Sequence, residues 1–134
     1  MKISSKGRYA VRVMVELAKH RDEYLSVAEL SKMQGITVKY LEKIIGQLSR
    51  SGLIAGTRGA LGGYTLAVDP KECSIAEILQ ATDDLPKLAP CLESGVGCDK
   101  VSTCDSINCW EKLSALITNY LKSVKIADLV SKKV

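Results

Sequence analysis

Apolar residues recur at helical spacing along most of this chain and at strand spacing only in one short region. The first part of the chain predicts three helices: one over residues 5–20, a short one that follows Ser26, and one that follows Thr37. Ser26 and Glu29 form an S-x-x-E capping box, and Gly35 can adopt the left-handed conformation that ends a helix. Two helices joined by such a glycine turn predict a helix-turn-helix.

The remaining pattern adds a hairpin and three more helices. Short apolar runs at 53–55 and 64–66 flank a glycine-rich tip and predict the two strands of a wing. We expect a short helix over 74–81, a long helix over 106–123 and a terminal helix over 127–133. The predicted fold class is mainly α with a small β-hairpin wing: a winged helix-turn-helix plus a long C-terminal dimerisation helix.

Positive charge is concentrated in the first half of the chain. Residues 1–66 contain eleven Lys and Arg against five Asp and Glu, whereas residues 67–134 contain eight against ten. A basic half joined to a slightly acidic one suits binding to a polyanion such as double-stranded DNA, and an ordinary solvated surface is the alternative. The N-terminus of the first helix would add free N–H donors for a phosphate.

The third helix has two distinct faces. Its apolar stripe is expected to lie in the core and consists of Val38, Leu41, Ile44, Ile45 and Leu48. The opposite face carries long polar side chains of the kind that reach base edges and phosphates, and an arginine near the wing tip would reach the DNA backbone or a narrow minor groove. The candidate DNA-contacting residues are Lys6, Arg8, Tyr9, Thr37, Lys39, Tyr40, Glu42, Lys43, Gln47, Arg50 and Arg58.

The long C-terminal helix carries an apolar seam with alternating three- and four-residue steps, which exceeds what one small domain needs for its own core. A two-fold homodimer is the natural use of such a seam. We therefore expect a DNA-binding domain over 1–82, a cysteine-rich loop over 83–109 and a dimerisation segment over 110–134. The residues expected on the seam are Trp110, Leu113, Ile117, Tyr120 and Val124.

A cluster of cysteines precedes this helix: Cys91, Cys98, Cys104 and Cys109 are separated by six, five and four residues. No signal peptide or membrane-length apolar run is recognised, so we expect a reducing cytoplasm, where clustered thiols bind metal or perform redox chemistry more often than they form disulfides. Zinc sites usually contain closer cysteine pairs, so an iron–sulfur cluster is favoured over zinc, a thiol switch or incidental thiols. Cys73 lies apart and is expected to be a buried thiol.

Several motifs resemble those of IscR-type winged-helix regulators, and together they span nearly the whole chain. They are the opening Met1–Ala10, Gln34-Gly35-Ile36, Tyr40-Leu41-Glu42, Gly52-Leu53-Ile54, and Arg58-Gly59 with Gly62-Gly63-Tyr64. Cys91, Cys98 and Cys104 match the cluster cysteines of that family, and Trp110 matches the tryptophan that follows them.

The resemblance implies a non-enzymatic, homodimeric transcription factor that binds a two-fold symmetric operator and an iron–sulfur cluster, and that regulates cluster-biogenesis genes. The family also includes NsrR and CymR, so a nitric-oxide or thiol-redox sensor of the same fold is an alternative, as is a cluster carrier without a DNA role. By the same resemblance, Tyr40 and Glu42 lie where the family reads DNA, and Arg58 lies in the wing.

The fourth cluster ligand departs from the family pattern. The resemblance implies a histidine three residues after Cys104, but that position is Ile107, which cannot coordinate iron. Cys109 is the obvious substitute and would give an all-thiolate site, for which 2Fe–2S is favoured over 4Fe–4S. Positions 107 and 109 of a helix point about 200° apart, so either the helix begins after Cys109 or the fourth ligand comes from elsewhere.

Overall fold

The computed structural model describes residues 2–59, 62–89, 92 and 100–134. Within them the chain forms α1 (Ser5–Lys19), α2 (Val27–Gln34), α3 (Val38–Arg50), β1 (Ile54–Thr57), β2 (Gly63–Leu66), α4 (Ile75–Ala81), α5 (Ile107–Ser123) and α6 (Ile126–Val130). A short 3-10 turn at Val101–Thr103 precedes α5. The predicted mainly α fold with one β-hairpin is confirmed.

Local capping signals set the start of each helix in the first half of the fold. The Ser26 hydroxyl accepts from Glu29 N–H at 3.1 Å while the Glu29 carboxylate accepts from Ser26 N–H at 2.8 Å, which completes the predicted capping box. Gly35 ends α2 with a φ of 67°, a conformation that costs glycine little. The Thr37 hydroxyl then accepts from Tyr40 N–H at 3.2 Å and begins α3.

The wing is an antiparallel hairpin in which Ile54 lies opposite Leu66 and Thr57 lies opposite Gly63. An isolated bridge joins it to the chain before α2, because Leu25 and Tyr64 exchange backbone hydrogen bonds of 3.0 and 2.8 Å. The hairpin is therefore fastened to the helix-turn-helix at its base. The predicted tip residues 60 and 61 lie outside the described residues.

The core lies between α1 and the other helices of the domain, and α6 contributes to it. Ile126 is fully buried, and its N–H donates to the Cys73 carbonyl at 3.0 Å. Ile75 N–H donates to the Val124 carbonyl at 2.9 Å, so the chain after α5 returns beside the start of α4. The segment predicted over 110–134 therefore contacts the domain predicted over 1–82 through Val124 and Ile126.

Two side chains lie elsewhere than the apolar pattern predicted. Val124, expected on the dimer seam, is only 8% exposed and packs in the core of its own chain because it ends α5 at the junction with α6. Val38, expected in the core stripe of α3, is 41% exposed because it occupies the first helical position, ahead of the turn that packs inward. The other four members of that stripe are buried as predicted.

None of the described helices is both long enough and apolar enough to cross a membrane.

Candidate nucleic-acid interface and cysteine site

The N-terminus of α1 already holds an anionic group of its own chain. Ser4 N–H donates to the Asp84 carboxylate at 2.8 Å, and Gly7 N–H donates to the Ser4 hydroxyl at 3.2 Å. These two donors are therefore paired within the chain, and a phosphate at this end of α1 would have to use other groups, such as the side chains of Lys6 and Arg8.

The Asp84 carboxylate lies directly against Gly7. A Cβ atom on residue 7 would come within 2.8 Å of Asp84 Cγ and closer still to its oxygen, so no larger residue fits without displacement. Because α1 has no acidic residue in its first turn, Asp84 also supplies the negative charge that favours a helix N-terminus. Sequence reasoning missed Asp84, since its partner lies 80 positions away; the only signal was a glycine within a helix.

The exposed face of α3 carries most of the predicted DNA-contacting side chains. Lys39, Glu42, Lys43 and Arg50 are exposed, and Thr37 is exposed at the start of the helix. A Cβ on Gly46 would meet only the Arg50 guanidinium, at 3.4 Å, so this part of the face is open. The arrangement suits a helix that enters a DNA groove.

Gln47 contributes to this face in a different way than its sequence position predicted. It is half-buried, and its side-chain oxygen is buried with no hydrogen-bond partner among the described residues. That oxygen is therefore not exposed on this face of α3.

Tyr9 and Tyr40 join α1 to the first turn of α3. Both rings are half-buried, and they meet edge to face with centroids 6.1 Å apart and planes 87° apart. Arg58, the predicted wing residue, is exposed immediately after β1. The structure thus brings together the predicted residues of α1 and α3 and leaves Arg58 at the wing.

Two of the four predicted cluster cysteines lie in the described part of the chain. Cys104 is partly exposed, and its sulfur lies 3.3 Å from the Ser106 hydroxyl oxygen. The side-chain and then the backbone hydrogen bonds of Ser106, with a smaller one from Ile107, lower the pKa of the Cys104 thiol. Hydrogen bonds of this kind favour the thiolate, which is the form that binds metal.

Cys109 is exposed in the first turn of α5, where its N–H donates to the Ser106 carbonyl at 3.0 Å. Because α5 begins at Ile107, Cys109 and Ile107 point in different directions, and Cys109 does not replace a ligand at position 107 by simple superposition.

Among the described residues no group of three metal-ligating side chains occurs; Cys91 and Cys98 lie outside them. The two described thiols nevertheless fit an iron–sulfur cluster chemically, since both are accessible and one favours the thiolate.

Cys73 has the opposite character. It is 2% exposed, and burial, with a smaller effect from the Glu77 charge, raises the pKa of its thiol to about 11. The neutral thiol is a poor metal ligand and nucleophile. The prediction that it is a small buried thiol is confirmed.

Helix α5 exposes several of its large apolar side chains. No residue of α5 is buried in the described structure, and the most exposed large apolar residues are Leu116 at 67% and Tyr120 at 58%. An apolar groove runs beside them. Its lining residues are Lys2, Ile3, Pro86, Leu116, Ile117, Tyr120 and Leu121.

A helix-turn-helix with a hairpin fastened to its base, basic side chains on the second helix of the motif and a basic first helix together define a class of protein: a winged helix-turn-helix DNA-binding transcription regulator.

The chain belongs to the Rrf2 family, whose model, described as an iron-dependent transcriptional regulator, matches residues 3–132. It is 36% identical over 132 residues to the HTH-type transcriptional regulator IscR of Photorhabdus laumondii, a match that covers 98% of this chain and 80% of the relative. Its relatives are named as transcriptional regulators, so the family is a non-enzymatic one.

Solved structures of related regulators share the fold. The T. potens IscR superposes with a TM-score of 0.78 at 30% identity, covering 100% of this chain and 89% of the other. CymR, the global cysteine regulator of B. subtilis, superposes with a TM-score of 0.80 at 26% identity, covering 98% of each chain.

Proposed function

We propose that this protein is a cytoplasmic, homodimeric transcription regulator whose binding to a two-fold symmetric operator is controlled by an iron–sulfur cluster, and that it regulates genes of cluster biogenesis. The observation that carries the proposal is that Cys104 and Cys109 have accessible sulfurs at the start of α5, in a chain that matches a family described as iron-dependent transcriptional regulators. A cluster ligand needs this chemistry. Similarity to relatives named IscR supports the same assignment.

The cluster would be held by Cys91, Cys98, Cys104 and Cys109, and it would supply a redox-active group whose loss or oxidation the protein can sense. Four thiolates can hold either a 2Fe–2S or a 4Fe–4S cluster, and we propose 2Fe–2S; Ile107 stands where the resemblance implies a histidine. Because Cys109 lies within α5, its sulfur can reach the cluster only if residues 105–108 are suitably arranged when the other cysteines bind.

Residues at the start of the cysteine-rich loop lie next to both α1 and α5, so a change in the loop can affect the DNA-binding domain. Asp84, at the start of the loop, contacts the beginning of α1 through Ser4, and Pro86 lies in the groove beside α5. We propose that binding of the cysteines to one centre restrains this segment and thereby fixes α1 relative to α5, which shifts the population of dimers that are competent to bind DNA.

DNA recognition in this proposal uses α3 as the helix that enters the major groove. Lys39 and Lys43 would contact phosphates, and the Glu42 carboxylate would accept a hydrogen bond from a cytosine amino group. Lys6 and Arg8 would add backbone contacts from α1, and Arg58 would reach the DNA from the wing.

Absorption spectroscopy with iron and sulfide counts tests the proposal directly. Protein purified without oxygen is expected to be coloured and to contain acid-labile sulfide in proportion to iron, whereas the Cys98→Ala variant should lose most of both. A Cys73→Ala variant is the matched control and should keep its cluster, because Cys73 is buried and disfavours the thiolate. Colourless, iron-free wild-type protein from such a preparation would contradict cluster control.

A cluster-free thiol sensor on the same frame is the second candidate, and the similarity to CymR over 98% of the chain favours it. In that case Cys91, Cys98, Cys104 or Cys109 would act as disulfide partners rather than ligands. Colourless protein in which oxidation changes DNA affinity, and reduction restores it, would favour this candidate.

A further inference from the structure

The Tyr9 ring forms one side of a contact that determines where Tyr40 lies. The two rings meet edge to face at 6.1 Å between centroids, a favourable aromatic geometry. Tyr40 belongs to the first turn of α3, where its N–H is held by the Thr37 hydroxyl. Its backbone is therefore fixed by the cap, while its ring is fixed from outside α3 by a residue of α1.

Arg12 holds Tyr9 from the other side. Its guanidinium carbon lies 5.1 Å from the centroid of the Tyr9 ring, within the range of a cation–π interaction. Arg12 Nη2 also donates to the Gln34 carbonyl at 3.4 Å. Among the described residues no carboxylate pairs with this guanidinium, so the ring and the carbonyl are its partners in the free protein.

Gln34 connects this contact to the turn of the helix-turn-helix. It is the last residue of α2, directly ahead of Gly35, and only 8% of it is exposed. Its side-chain amide lies 3.5 Å from the Glu16 carboxylate, also on α1. The end of α2 is therefore held to α1 by Arg12 and Glu16, which lie one helical turn apart. Of these two residues, Arg12 also contacts an aromatic ring.

We propose that Arg12 is a positioning residue for DNA reading: it fixes Tyr9, and through Tyr9 the ring of Tyr40, relative to the turn before α3. The inference rests on the proposed DNA-binding function and goes beyond it, because Arg12 acts through its contacts within the chain rather than as one more phosphate-binding cation. An arginine is needed because a planar guanidinium can stack on a ring and donate to a carbonyl at once, which a lysine ammonium does poorly.

The test uses the full-length protein and a DNA duplex that the wild type enriches from a random-sequence pool, beside a scrambled duplex of equal length. Dissociation constants are measured for both over a range of about 50–200 mM salt. The variants are Arg12→Lys, Tyr9→Leu, Tyr9→Phe and Lys39→Met, each checked for a wild-type unfolding curve.

We expect Arg12→Lys and Tyr9→Leu to weaken binding to the selected duplex by about three- to tenfold, with little change for the scrambled one and an unchanged salt slope. Tyr9→Phe keeps the ring contact with Tyr40 and should lose less affinity for the selected duplex than Tyr9→Leu does. Lys39→Met, the comparator for a phosphate contact, should weaken both duplexes and lower the salt slope by about 0.9. In a Tyr40→Ala background, Arg12→Lys should have no further effect.

Wild-type affinity of Arg12→Lys for the selected duplex would overturn the inference. It would also be overturned if the double variant Arg12→Lys/Tyr40→Ala lost as much binding free energy as the two single variants together. A nuclear Overhauser contact between the Tyr9 and Tyr40 rings is expected in the free wild-type protein, and its absence would overturn the inference without any variant. A wild-type protein that enriches no duplex would instead contradict the proposed function itself.

Discussion

Asp84 lies in direct contact with Gly7 at the start of α1. The carboxylate accepts the Ser4 N–H at 2.8 Å and occupies the space that a side chain on residue 7 would need. The same carboxylate supplies negative charge where the helix dipole favours it. A glycine in a helix costs about 1 kcal/mol relative to alanine, and at this position it leaves room for a long-range contact.

Gly7→Ala should destabilise the folded protein by about 1–3 kcal/mol, because the added methyl group collides with the Asp84 carboxylate. Gly46→Ala is the matched control, since a Cβ there meets only Arg50 Nη1 at 3.4 Å. It should leave stability unchanged or raise it by up to about 1 kcal/mol. Denaturant unfolding measures both, and an equal response at the two glycines would show that Asp84 does not fill the space beside Gly7.

The thiols of Cys104 and Cys73 should differ in reactivity once any bound metal is removed. Hydrogen bonds from Ser106 lower the pKa of Cys104, so its thiolate forms at lower pH than the ordinary value of 9.0, while burial raises the pKa of Cys73 to about 11. Alkylation followed by mass spectrometry should show Cys104 reacting as pH rises toward 9.0 and Cys73 unreacted until the protein unfolds. In Ser106→Ala, the midpoint of the pH dependence of Cys104 alkylation should move to higher pH. An unchanged midpoint would refute the role of Ser106.

Among the helices, α5 is unusual because several of its large apolar side chains are exposed, while Leu121 packs against the core. Leu116 and Tyr120 are 67% and 58% exposed, and a groove lined in part by Ile3 and Pro86 runs beside them. A contiguous exposed apolar surface of this kind marks an interaction site. A second copy of the chain is the occupant we propose.

Leu116→Glu should therefore weaken self-association without unfolding the protein. A carboxylate placed in an apolar interface is costly, so the dimer dissociation constant should rise by about tenfold or more. Asn119→Glu adds the same charge at another exposed position of α5 and should remain dimeric. Sedimentation equilibrium measures both; a monomeric wild type, or identical behaviour of the two variants, would contradict the proposed interface.

The boundaries of the helices could be predicted because their signals are local. The capping boxes at Ser26 and Ser74 and the glycine turn at Gly35 involve residues at most a few positions apart, and the structure reproduces them. The apolar spacing of α3 likewise predicted its buried residues, except at the first position, where the helix has not yet turned inward.

Contacts between distant residues could not be predicted in this way. Periodicity placed Val124 on the seam of α5, but a bend before α6 turns it into the core. Local sequence patterns also do not predict the contact of Asp84 with Ser4 or the hydrogen bond from Arg12 to Gln34. Each joins elements that only the tertiary fold brings together.

On the scale of the whole molecule, the chain combines a basic winged helix-turn-helix with an outward-facing helix and a cysteine segment between them. If two copies associate through α5, two-fold symmetry would present two α3 helices to two half-sites of an operator. The cysteine segment joins these parts in sequence, and Asp84 joins its start to α1. We propose that this segment controls DNA binding.

The most direct test compares the DNA affinity of oxygen-free, cluster-containing wild type with that of Cys98→Ala, on the duplexes that each protein enriches and on its natural promoters. We predict that the affinities differ by about tenfold or more on at least one class of site, while both proteins remain folded and dimeric. Equal affinity of the two proteins at every site would contradict the account.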